Sequence, residues 1–77
     1  MKGEKKMFFN LKAEMARKNI TIMTLSEDED LDIAYETLRN KFSMKTEWTR
    51  REMMLIKDKY FPNQTLEYLF KWDVSKT

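Results

Sequence analysis

The sequence contains no cysteine and no histidine, and only one glycine and one proline in 77 residues. Without cysteine there is neither a disulfide framework nor a thiolate zinc site. Without histidine the commonest general base and the commonest transition-metal ligand are missing. There is also no phosphate-cradling glycine loop, so no enzyme, cofactor or small-molecule substrate is expected. Asp28-Glu29-Asp30-Leu31-Asp32 alternates acids as a calcium loop does, but Ile33 stands where such a loop needs glycine. No apolar run approaches the roughly 20 residues that cross a bilayer. The basic start, Met1 to Lys6, is not followed by an apolar signal core. A cytoplasmic protein without a membrane partner is the expectation. Scarce glycine and proline favour helices joined by short polar turns over a strand-rich fold.

What the chain does have is charge, unevenly spread. Of its 13 acids, six lie in one stretch: Glu27, Asp28, Glu29, Asp30, Asp32 and Glu36. No base falls between Lys18 and Arg39, so the remaining seven acids share the rest of the chain with all 15 bases. A basic body is the electrostatic footprint of a nucleic-acid partner. The acidic stretch opposes that reading unless it points away from phosphates. The other reading of it is a face, Glu27 to Asp32, that meets a basic protein partner or mimics DNA charge, as an antirepressor or inhibitor module on the same helical scaffold would.

Helical spacing of apolar residues predicts five helices in one domain spanning residues 1–77, with its core at about 8–70 and frayed termini. The first runs from Lys5 to Lys18, with Phe8, Leu11, Met15 and Ala16 on one face and Lys12, Arg17 and Lys18 outside. The second starts at Ile22 behind a Thr21 cap, or later, since Thr24 with Glu27 and Ser26 with Glu29 also match a capping box. The third runs from Ala34 to Phe42, with Ile33, Leu38 and Phe42 inward and Tyr35, Glu36, Arg39 and Asn40 outward. Residues 43–47 then form a turn. The fourth starts after the Thr49/Glu52 capping box, carries Met53, Ile56 and Tyr60 inward, and stops before Pro62. The fifth spans Thr65 to Phe70. Seven methionines suit irregular core gaps or an adaptable surface. Trp48, Phe70 and Trp72 suit either the core or a dimer patch.

Three segments carry a resemblance. Asn10 to Ile22, Leu31 to Phe42, and Lys45 to Thr49 with Tyr60 to Phe70 together resemble small phage and prophage helix-turn-helix regulators of the lambda-repressor/Cro (XRE) family. The resemblance implies an all-α, five-helix DNA-binding domain that acts as a transcriptional repressor or regulator in a bacterial host cell, as a homodimer on double-stranded DNA. The third helix then lies in the major groove. Tyr35, Glu36, Thr37, Arg39 and Asn40 become base readers, with Arg39 suited to guanine and Asn40 to adenine. Arg17, Lys18, Thr24, Lys41 and Lys45 become phosphate contacts, which hold register without reading sequence. Three features depart from the family. Six residues separate Leu25 from Asp32, one more than usual, so the second helix is expected to be lengthened or distorted. Asp32 replaces the turn glycine, and Asp tolerates left-handed backbone better than most residues. Ala34 replaces the serine that caps the third helix, and Asp32 is the candidate substitute cap.

Overall fold

A computed structural model describes residues 5–75, with side chains for 7–73. Among the described residues there are five helices and one two-stranded ribbon. The order is β1 (Lys5–Met7), α1 (Phe9–Arg17), α2 (Ile22–Ser26), α3 (Tyr35–Phe42), α4 (Arg50–Tyr60), α5 (Leu66–Leu69) and β2 (Asp73–Ser75). The all-α expectation therefore holds for the body of the domain but not for its ends. β1 and β2 pair antiparallel, with Lys6 opposite Val74 and Met7 opposite Asp73. This ladder, rather than a first helical turn, takes the backbone of residues 5–7. It also takes the segment after Trp72, where fraying was expected.

One residue from each helix is fully buried: Leu11, Leu25, Leu38, Ile56 and Leu69 all have 0% exposure. Around them pack Phe8, Met15, Leu31, Ile33, Phe42 and Phe61. α2 packs on α3, while α1 and α4 each pack on α5. Ala16, placed on the inner face by spacing, is exposed. Met15 is the one buried methionine among the described residues, and Met23 stands out in solvent. Trp48 is half-buried and packs edge-on against Phe42 and Phe70, with centroids 5.3 and 5.4 Å apart. Trp72 is exposed. The Cα radius of gyration is 12.4 Å, near the roughly 11–12 Å of a compact chain of this size.

Polar side chains set where the helices begin. The Thr24 N–H donates to Thr21 Oγ1 (3.1 Å) and the Thr21 N–H donates to Thr24 Oγ1 (3.2 Å), a reciprocal box that starts α2 at Ile22. The two later boxes do not form. Thr24 already serves Thr21, and the Ser26 hydroxyl donates to the Met23 carbonyl at 2.7 Å. Thr49 and Glu52 make the expected box on α4, at 2.9 and 3.2 Å. Phe61, at φ −136°, leaves the helix before Pro62.

Two helices end on residues in the left-handed region. After α1, Asn19 has φ 58°, the Ile20 N–H donates to the Met15 carbonyl (2.8 Å), and the Asn19 N–H donates to that of Ala16 (3.2 Å). After α3, Met44 at φ 67° does the same, with the Lys45 N–H on the Asn40 carbonyl (2.8 Å) and its own on that of Lys41 (3.2 Å). Both are Schellman endings, which satisfy orphan carbonyls and turn the chain sharply.

Candidate nucleic-acid interface

The DNA-reading unit expected from the sequence corresponds to α2, α3 and the connection between them. α2 stops at Ser26, before the acids, so it is cut short rather than lengthened. Asp28 causes this. Its Oδ1 accepts the N–H groups of Asp30 (2.8 Å) and Leu31 (3.1 Å), offering the backbone an alternative to continued helix. The chain then reverses at Asp32, where φ is 56°. Aspartate thus occupies the left-handed geometry expected of it. It does not cap α3. The N-cap is Ala34, which is extended and makes no side-chain cap bond.

On α3, Leu38 and Phe42 are buried while Tyr35, Glu36, Thr37 and Arg39 are exposed. Glu36 and Arg39 face each other at 3.5 Å, one turn apart. Asn40 is only half-buried, near the helix end. The five expected base readers therefore lie on one short helix, four of them exposed.

The expected phosphate contacts divide. Lys45 is exposed just past α3. Arg17 is exposed but tied to Glu14 at 2.6 Å. Lys18 is exposed, donates to the Tyr60 carbonyl at 2.6 Å, and lies over the Phe61 ring. Thr24 is exposed, with its hydroxyl committed to the α2 cap. Lys41, expected among these contacts, does not face solvent. It is 7% exposed and turned inward, donating to the Glu47 carbonyl (2.8 Å), pairing with Glu52 (3.0 Å) and lying over Trp48. The signal was present in the spacing, because Lys41 follows buried Leu38 by three and shares its face. Lys12, on the outer side of α1 and not among the expected contacts, is exposed and lines an open groove with Asn19, Thr21 and Phe42.

The acidic stretch is not a uniform face. The Asp28 carboxylate is buried and accepts the Tyr60 hydroxyl and the Lys59 ammonium, the latter at 2.9 Å. Lys59 also reaches Asp30 Oδ2 at 3.0 Å, and Arg51 donates to the Asp30 carbonyl at 2.9 Å. One base from α4, Lys59, thereby offsets part of the charge in the middle of the run, and a second, Arg51, ties its backbone. Glu27, Glu29 and Asp32 remain exposed. The Tyr60 hydroxyl bond outweighs the opposing effect of burial and, with Lys59 and the two amides, holds Asp28 at about 2. Burial, then the bond to Asp28, pushes Tyr60 up to about 12. The bond to Asp28 likewise raises Lys59. Burial acts to raise Glu52, but the Thr49 N–H and Lys41 outweigh it and lower the carboxyl on balance.

No helix among the described residues is long and apolar enough to cross a membrane. No protein-family model, curated protein or solved structure matches the chain.

Proposed function

We propose that the chain is a sequence-specific DNA-binding regulator of the phage-repressor type, reading the major groove with α3. The observation that carries the reading is α3 itself. Its inner face is pinned by Leu38 and Phe42 against α2 and the core, while Tyr35, Glu36, Thr37 and Arg39 stand in solvent. A short helix anchored from behind, with adjacent polar side chains outward, is what base-edge readout needs. Asp32 in left-handed geometry at the turn supports the same reading. Lys45, Lys12, Arg17 and Lys18 supply phosphate contacts. The buried Asp28 and its Lys59 partner weaken the objection from the acidic run, and equally the alternative of an acidic face for a basic protein. Two copies reading two half-sites complete the proposal.

Fluorescence anisotropy with labelled duplexes at two salt concentrations tests it. Four phosphate contacts per copy predict a loss of affinity between 50 and 200 mM salt of about a hundredfold for one copy and about ten-thousandfold for two copies on two half-sites. Arg39→Ala should relax base preference by about 1–3 kcal/mol at one position. Lys45→Ala should weaken all sequences alike. Stoichiometry at saturation reads the dimer. Absence of binding to any duplex at low salt would reject the proposal.

A further inference from the structure

α3 has no side-chain cap of its own, and it is entered through a residue in left-handed geometry. Its start is therefore held by the connection that leads into it. That connection is fixed from α4. Asp28 gathers four donors: two backbone amides on Oδ1, and the Tyr60 hydroxyl and Lys59 ammonium on Oδ2. Tyr60 also receives Lys18 from the end of α1 on its carbonyl. The last residue of α4 thus joins the end of α1 to the entry of α3. At the other end of α3, Lys41 reaches Glu52 on α4. The α2–α3 unit is bound to the body by a polar tie at each end; the one at its entry joins Tyr60, Lys59 and Arg51 of α4 to Asp28 and Asp30, and of these three only Tyr60 is not exposed.

We propose that Tyr60, acting through Asp28, is a positioning residue that fixes how α3 is presented and thereby sets discrimination between DNA sequences. The discrimination half of this rests on the DNA-binding reading; the positioning half does not. Tyr60→Phe removes one oxygen and leaves the ring. In this variant the hydrogen-bonded amides at the entry of α3, those of Asp30, Leu31, Asp32 and Leu38, should exchange with solvent about tenfold faster or more, while protection in α1 and α4 stays at the wild-type level. The preference for the best duplex over non-specific duplex should fall about tenfold, with non-specific affinity and the salt slope unchanged. Asp28→Asn keeps an acceptor for the two amides and should give the same pattern if Tyr60→Phe folds poorly. Unchanged exchange, or acceleration by one factor in every helix, overturns the positioning role. Unchanged discrimination by a folded variant overturns the link to recognition. A wild-type chain that binds no duplex also overturns that link, and the exchange pattern still decides whether Tyr60 positions α3.

Discussion

At the scale of single residues, identical side chains four positions apart do opposite things. Lys45 lies in solvent, while Lys41 is enclosed by Glu47, Trp48 and Glu52. The burial of Lys41 is tolerable because two of its three N–H donors have a carbonyl and a carboxylate, and its stem lies along apolar surface. Deleting it leaves the Glu47 carbonyl and the Glu52 carboxylate short of a donor inside the protein. Lys41→Ala should therefore lower stability to urea by about 3 kcal/mol. Lys45→Ala should stay within about 0.5 kcal/mol. Equal losses for the two would mean that the inward tie carries no energy.

At the scale of elements, helix starts were legible where a side chain states them locally. Thr21, Thr49 and Thr65 each cap the helix that follows. Proline set the end of α4 in the same local way. The end of α2 was not legible, because any acid of the run could bond the amides that follow it; Asp28 does so, and it is the one also held by Tyr60, 32 residues away. The strand at residues 5–7 was hidden for a similar reason, since its partner lies at the other end of the chain. The outward face of α3 followed from its spacing, and so should the inward turn of Lys41 have done. What spacing could not supply was the pairing of Asp28 and Asp30 with Lys59 of α4. The turn at Asp32 gives a direct test at this scale. A non-glycine residue in left-handed geometry costs roughly 1–2 kcal/mol, less for Asp, whose short side chain bonds locally. Asp32→Ala should cost about 1 kcal/mol, while Asp32→Gly should be neutral or slightly stabilising. Thermal melts of both variants measure this, and an alanine variant as stable as the glycine one would show that the turn is not strained.

At the scale of the whole molecule, the tie between α4 and the α3 entry makes the fold respond to acid. In the unfolded chain Asp28 should titrate near the usual value of about 3.9, whereas in the folded protein it titrates at about 2. The folded state therefore holds the charged form more tightly. Its contribution to stability is complete above the unfolded value and fades as pH falls from about 4 towards 2. Glu52, also lowered on balance by the Thr49 amide and Lys41 against the effect of burial, adds to the same limb. Tyr60 is raised, so the bond from its hydroxyl persists through neutral and mildly alkaline conditions. Stability measured by urea titration should thus be flat around neutrality and fall on the acid side. Asp28→Asn should be less stable than wild type at pH 7, because the Tyr60 and Lys59 donors lose a charged acceptor, by about 1–3 kcal/mol. That deficit should shrink as the pH approaches 2, where the wild-type carboxylate is itself being protonated. Two parallel curves across this range would show that the buried carboxylate is not what joins the body of the domain to the helix that it presents.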